Sequence, residues 1–566
     1  MTNTLQLVLC WHMHQPDYRH FADGEFALPW TYLHAVKDYS DMAAHLEEHR
    51  DARAVVNFVP VLLEQLDDYA TQFASGQLKD PLLRLLAKPD LTRLSASDRE
   101  FIFASCFRNH HPTMIEPFAP YKRLHTLYLD LREHDADALG YLSEQYLADL
   151  LVWYHLSWTG ESVRRSSPQI AVLMAKGSNF SADDRRQLFN VYGTVISGLI
   201  DRYQKLAETG RIEISTTPNT HPIVPLLLDF QAAREAEPSA ELPVTRSYPG
   251  GEKRAEFHIA SALADYQQRF GYAAAGMWPA EGGVSSETLT RIAAHGCAWS
   301  ASGEGVLMNS LRHYRPGIEI DRQRDLYRPY RVGSEAQTIN CFFRDDRLSD
   351  LIGFEYARWH GEDAVRHLIG ELERIRNALT PGQNGVVSII MDGENAWECY
   401  PYNGYYFLDS LYRNLADHPF INMTTFAELV KSLPSEAYGE LPGVVAGSWV
   451  YGTFSTWIGS PDKNRAWDLL CAAKQSFDLA IASGRLGAEQ QNRAYKQLAD
   501  CESSDWFWWF GDYNSPESVA SFDALYRENL AHLYRLLALP VPHALAQPLS
   551  VGGGQPALGG TMRRAS

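Results

Sequence analysis

Three clusters of polar side chains stand directly after apolar runs in this chain, and each has residue types that can do chemistry. The first, CWHMHQPDYRH from Cys10 to His20, places His12 and His14 behind the run Leu5–Leu9. Side chains two apart on a strand share a face, so this pair can hold a metal, bind a polar ligand or sit buried and hydrogen-bonded. The second, GMWPAEGGVS, delivers Glu281 after a Trp-Pro turn. A carboxylate at such a place also suits the positive end of a following helix. The third, SIIMDGENAWECYPYNG, closes a buried-looking run with Asp392 and Glu394, then Trp397, Glu398 and Tyr400. Its plain structural reading is an Asp-Gly turn with solvated acids. Taken together the acids gain a chemistry: breaking a glycosidic bond requires two carboxyl groups flanking the anomeric carbon. Aromatic rings that stack on sugars are abundant, with 14 Trp and 29 Tyr, and cluster at Trp153–Trp158 and in DWFWWFGDY from Asp505 to Tyr513. Much of that aromatic content must be core, although the second cluster carries two aspartates and a glycine. In GRIEISTTPNTHPIVPLL an alternating strand ends near His221, where a lone histidine is ordinarily a loop residue.

Positioning such residues is the task of strands and helices, and apolar runs recur here with the rhythm of βα units. Strands are predicted at Leu5–Trp11, Ala54–Val59, Arg211–Thr217, Ala273–Trp278, Ala298–Ala301, Thr338–Phe343 and Val386–Met391. Periodic segments at Ala138–Leu156, Arg185–Gly210 and Glu252–Phe270 read as helices between them. Several strands run directly into polar or Gly-rich residues, the strand-end positions that form the active face of a parallel barrel. The expectation is an α/β barrel over residues 1–423, with a long, largely helical insertion at about 70–176. From 424 to 545 the chain turns mostly helical (Ala466–Ala482, Glu489–Ala499, Pro516–Leu537) and should pack against the barrel and contribute to the site. The Gly- and Pro-rich end, 546–566, is expected to be a disordered tail. No internal repeat is visible.

At 566 residues the chain is long enough for several domains or one large barrel with additions. A net charge of −18 without Lys/Arg stripes disfavours nucleic acid as the main partner. The seven cysteines are scattered with no C-x-x-C pair, which suits a reducing compartment and argues against a zinc ribbon or disulfide framework. No run approaches the ~20 apolar residues of a membrane span, and the first residues lack a secretory signal pattern. The expected location is the cytoplasm.

Five short regions in order, His12-Met13-His14-Gln15-Pro16, Gly210–Thr216, Trp278–Glu281, Asp392-Gly393-Glu394 and Asp505–Trp509, resemble family 57 of the glycoside hydrolases. WPAEGGVS, MDGENAWE and SDWFWWFGD are most similar to its amylopullulanase and α-amylase-like branch. The resemblance implies an incomplete, seven-stranded β/α barrel followed by a helical domain, acting on α-1,4 and in part α-1,6 bonds of glycogen, starch or malto-oligosaccharides. It implies retention of anomeric configuration and no metal or other cofactor. Glu281 then corresponds to the nucleophile and Asp392 to the general acid/base. His12, His14, Trp278, Glu394, Trp397, Asp505 and Trp508 fall on positions around the sugar, and His221 matches a histidine after the second region. Asp392 must hold a proton near neutral pH, so burial and the Glu281 charge must raise it above the usual ~3.9. Retention expects about 5–5.5 Å between the two carboxyl groups.

Other readings use the same residues. If a glucan hydroxyl outcompetes water, the chain is a 4-α-glucanotransferase or a branching enzyme. A metal-dependent deacetylase or mannosidase-like barrel would use His12, His14 and an aspartate as ligands, although no His-x-x-x-His pair completes the set. A non-catalytic glucan-binding scaffold is a third reading, against which both acids are present.

Overall fold

The computed structural model describes residues 3–554, apart from Phe21, Asp135, Glu335, Ala336, Pro381, Gly382 and Asn384. Ten strands are found among the described residues: β1 Leu5–Met13, β2 Ala54–Phe58, β3 Ile212–Thr216, β4 Gly276–Met277, β5 Trp299–Gly303, β6 Tyr330–Ser334, β7 Gln337–Arg344, β8 Gly385–Asp392, β9 Ile421–Thr424 and β10 Gly439–Leu441. Seven of them, β1 to β5 with β7 and β8, run parallel and close into a barrel. These are the seven predicted strands. Pairing is unequal around the ring. β1 and β8 match over eight residue pairs, Leu5↔Gly385 to His12↔Asp392, whereas β7 meets β8 only at Arg344↔Ser388. The ring therefore closes with seven strands, at a thin seam. β4 is shorter than predicted: Pro279 has no N–H to extend a ladder, and a side chain at Gly276 would strike the Trp299 ring. Outside the ring, β6 pairs antiparallel with β7, β10 parallel with β6, and β9 parallel with β1. These additional strands have only three to five residues, too few for a periodicity to show.

Alternation along the strands sorts the buried side chains into two apolar clusters. Leu7, Leu9, Trp11, Val56, Phe58, Val387 and Ile389 face the surrounding helices. Val8, Cys10, Val55, Trp299, Ala301, Phe342, Val386 and Ile390 fill the barrel interior. Counting two further towards the strand ends, the interior positions become His12, Asn57, Arg344 and Asp392. The functional face thus follows from the period of two. The opposite end is plugged by the helix Phe426–Ser432, whose start is a capping box between Thr425 and Glu428. Phe426 packs 4.6 Å from both Trp299 and Phe342, and Glu213 accepts from Trp299 Nε1 (2.6 Å) and the Ala427 amide (2.9 Å).

The described part of residues 60–176 is largely helical, from Pro60–Ser75 to Pro168–Lys176, and the helices Ala182–Glu208 and Gly251–Phe270 flank β3. The helices Pro461–Ala482, Ala488–Cys501, Ser504–Trp509 and Pro516–Leu536 form the C-terminal region. The expected boundary at 423 falls within the barrel region, since the plug helix and β10 follow it. A buried ionic knot ties the two parts together. Arg254 donates to both oxygens of Glu502 (2.8 and 2.7 Å), which also takes bonds from Tyr248 Oη (2.5 Å) and His258 Nε2 (2.7 Å). Part of the expected tail is packed: Leu549 and Ser550 are buried, and the Leu549 amide donates to Asp523 (2.7 Å). Residues 555–566 of that tail lie outside the described residues.

Candidate active site

His12 and His14 project from the end of β1 into a chain of hydrogen-bonded and stacked rings. His12 Nδ1 donates to Asn57 Oδ1 (2.6 Å), an oxygen that also takes the Thr217 hydroxyl (2.8 Å). That leaves His12 Nε2 as an acceptor, and His221 Nε2 donates to it at 3.1 Å. His221 Nδ1 in turn accepts from the Ser504 hydroxyl (2.9 Å). Burial first, then the neighbouring imidazole of His14, drives the His12 pKa down to about 3 and holds His221 well below the usual histidine value. His14 Nε2 donates to Asp505, 3.0 Å from each oxygen, while Ser503 Oγ donates to Asp505 Oδ2 at 2.5 Å. The His14 and His221 rings stack at 3.8 Å. Thr220 and His221 both have left-handed backbones (φ 55° and 65°), locked by bonds to Ala499 and Ser504 of the C-terminal region.

Glu281 also lies in the left-handed region, at φ 57° and ψ 25°, within a single helical turn Ala280–Gly282. The next α-helix begins only at Ser286, capped by Ser285. Glu281 is thus no helix-start carboxylate. Trp449 grips it twice: the indole Nε1 donates to Oε2 (2.8 Å) and the Trp449 amide to the Glu281 carbonyl (3.1 Å). The loop carrying Trp449 is held by paired amide bonds between Val284 and Gly447 (2.9 and 3.0 Å).

Asp392 ends β8. Its Oδ2 accepts from Asn395 Nδ2 (2.9 Å). Burial raises its pKa, opposed by Asn395 and by the charges of His14 and Arg344. The neighbouring Glu394 is buried and pushed well up, first by burial and then by Asp392; Gln15 Nε2 donates to its Oε1 at 3.4 Å. Between the two acids Gly393 donates to the His12 carbonyl (2.8 Å), and any side chain there would collide with Met13 Sδ. These acids are held in the barrel mouth, not solvated on a turn.

A cavity of about 860 Å³ gathers the predicted residues: His12, His14, Glu281, Asp392, Glu394, Asp505 and Trp508 all line it. Trp278, Trp397 and His221 stand behind that lining. Trp278 is fully buried, 5.2 Å from Trp449. Trp397 packs edge-on to Trp11 at 5.9 Å and donates to the Gly393 carbonyl (2.9 Å). Their large rings are consumed by packing, so they brace the site where direct sugar contact was expected. Two further residues at the mouth were not anticipated, Trp449 and Arg344. Arg344 donates to the Ile390 carbonyl (2.7 Å), to Asp346 (2.7 Å) and to Asp350 (3.1 Å), with its guanidinium 5.3 Å from the Trp449 ring. A charged residue ending the apolar run of β7 was the signal for Arg344. Nothing local marks Trp449.

The group best placed for a metal is His14, His221 and Asp505, with ligand atoms within 4.8 Å of one another. Both His221 nitrogens are engaged, however, and its ring lies only 21° from parallel with His14. Stacked rings direct their in-plane lone pairs side by side, not to one point. The group fits a hydrogen-bonded wall better than a metal cage.

The family model for glycosyl hydrolase family 57 matches residues 8–442. The chain belongs to that family. Among solved structures, a family 57 branching enzyme from Thermococcus kodakaraensis is similar at 16% identity and a TM-score of 0.56, over 95% of this chain and 90% of that one. The branching enzyme from Pyrococcus horikoshii gives the same values. An α-amylase from Thermotoga maritima is similar at 14% identity and a TM-score of 0.53, over 95% of this chain and 94% of that one. A search of curated proteins gives no match. Family 57 membership makes the chain a carbohydrate-active enzyme of the glycoside hydrolase and transferase kind, and these likenesses support its barrel fold. Among the described residues, no helix is long and apolar enough to cross a membrane.

Proposed function

We propose that this family 57 enzyme cleaves α-glucan chains with retention of configuration, Glu281 acting as nucleophile and Asp392 as general acid/base. The observation that carries the reading is that two carboxyl groups prepared for opposite roles line one cavity. The Trp449 N–H donates to Glu281, a bond that favours its ionised form. Burial raises the Asp392 pKa, which favours its protonated form. In the first step Glu281 attacks the anomeric carbon while Asp392 protonates the departing oxygen. In the second Asp392, now ionised, takes a proton from the acceptor as the glycosyl bond to Glu281 breaks. His12, His14, Asp505 and Trp508 surround the sugar, with His221, Trp278 and Trp397 holding the wall in place.

Water is the acceptor in the reading we favour, which makes the enzyme an amylase or amylopullulanase. Transfer to a glucan hydroxyl is supported by the likeness to branching enzymes and by a cavity roomy enough for further sugar units. Maltoheptaose separates the two: new reducing ends mean hydrolysis, and longer products without them mean transfer. The seven free cysteines support a cytoplasmic role in glycogen or maltodextrin turnover. Replacing Glu281 with Gln is expected to cost at least about 10⁴-fold in turnover while glucan binding persists. Normal activity in that variant would remove Glu281 from the nucleophile's role.

A further inference from the structure

Besides the carboxyl pair, the same cavity is lined by a second set of polar side chains: His34, Glu398, Trp158 and Asn109. None has a part in the two-step reaction. Behind them lies a buried ion pair on an uncommon backbone. Residues Ala35–Tyr39 make a π-helical turn, a form that concentrates at functional sites. Its Lys37 and Asp38 are both buried, with Lys37 Nζ 2.5 Å from Asp38 Oδ1. The other Asp38 oxygen accepts from His34 Nδ1 at 2.6 Å, which leaves Nε2 as the nitrogen available to a ligand. The Trp158 ring meets His34 edge-on at 5.3 Å, with the Lys37 ammonium 5.2 Å from its centre.

Two of the four lining residues carry buried polar atoms that have no protein partner among the described residues: Nε1 of Trp158 and Oδ1 of Asn109. Trp158 is 2% exposed. Buried donors and acceptors are ordinarily satisfied. A spare donor and a spare acceptor beside one cavity match a ligand that offers both, as sugar hydroxyls do. Burial raises the Glu398 carboxyl while Lys37 and His34 lower it, and Asp38 raises it again. The carbonyl of Glu398 is fixed by the Thr113 hydroxyl.

We propose that His34, Glu398, Trp158 and Asn109 form a second sugar-binding position, seating a glucose unit of the α-glucan away from the bond being broken. This rests on the α-glucan reading above and adds the residues that set the preferred chain length. Their part is specificity, with no role in bond breaking.

The test is calorimetric titration of the full-length E281Q enzyme with maltose through maltoheptaose. Affinity should rise in steps as the chain reaches each further position. Adding E398Q or W158F is expected to abolish one step, weakening the longer ligands about 10-fold while the shortest lose little. Two variants are used so that a folding failure in one, seen as a lost melting transition, leaves the other as the test. An unchanged series in the folded variants overturns the proposal, and so does an equal loss at every chain length. If E281Q binds none of these ligands and the wild type turns none over, the α-glucan reading itself falls.

Discussion

A glutamate in the left-handed backbone region is uncommon and costs about 1–3 kcal/mol, strain that persists only where the surroundings enforce it. At Glu281 the enforcement is Trp449, whose amide and indole hold the carbonyl and the carboxylate at once. The strained turn sets where the side chain starts, and the Trp449 indole bond fixes where its carboxylate ends. Asp392 is tuned by competing effects, with burial raising its pKa and the Asn395 N–H lowering it. Because the acid must be protonated to donate, kcat/KM should fall as pH rises through that value. Asn395→Ala removes the bond that favours the carboxylate, so the alkaline limb should move up by about one pH unit or less. A pH profile of kcat/KM reads this directly. A limb that stays in place or moves down would remove Asp392 from the donor role. Glu281, Asp392, His12 and His14 were legible as acids and histidines after apolar runs, and Asp505 only through the family resemblance. Trp449 was not, since it meets Glu281 across 168 residues of chain and its neighbours show only a Gly-rich loop.

At the level of elements, the seven barrel strands were legible because buried parallel strands read as short continuous apolar runs. Where a strand is short or marginal the signal fades, as for β4 and for the edge strands β6, β9 and β10. Also hidden was the side-chain knot joining the helix Gly251–Phe270 to Glu502, since ion-pair partners have no sequence period. Burial alone would raise Glu502, yet the Arg254 guanidinium and the His258 bond bring it down to about 2. A carboxylate depressed from an ordinary 4.5 stabilises the fold fully above that pH, and the contribution is lost as pH falls towards 2. Glu502→Gln leaves Arg254 buried without its counter-charge, which should cost about 3–5 kcal/mol at neutral pH. Melting temperatures measured from pH 7 down to 2.5 should converge for wild type and variant at the acid end. Parallel curves would show that this carboxylate does not carry the acid sensitivity.

On the scale of the whole molecule, neither the barrel nor the C-terminal helices complete the site alone. His14 leans on Asp505, His221 on Ser504, and Arg254 on Glu502. We expect residues 1–459 expressed alone to lack activity and a cooperative melt, with both restored by co-expressing residues 460–566. Activity from the barrel segment by itself would contradict this division of labour. The seam between β7 and β8 has a consequence for the spacing of the two acids. With one residue pair closing the ring, Arg344 acts as a clasp: from the last position of β7 its guanidinium reaches the Ile390 carbonyl of β8. Glu281 lies beyond β4 on one side of that clasp and Asp392 on β8 at the other. The shorter arc between Glu281 and Asp392 therefore crosses a joint held by one residue pair, as thin as the β3–β4 joint at Thr216↔Met277. The spacing of the two acids is thus set across two single-pair joints, one on each side of β4, β5 and β7, and the clasp at the β7–β8 joint stands against Trp449, the residue gripping Glu281.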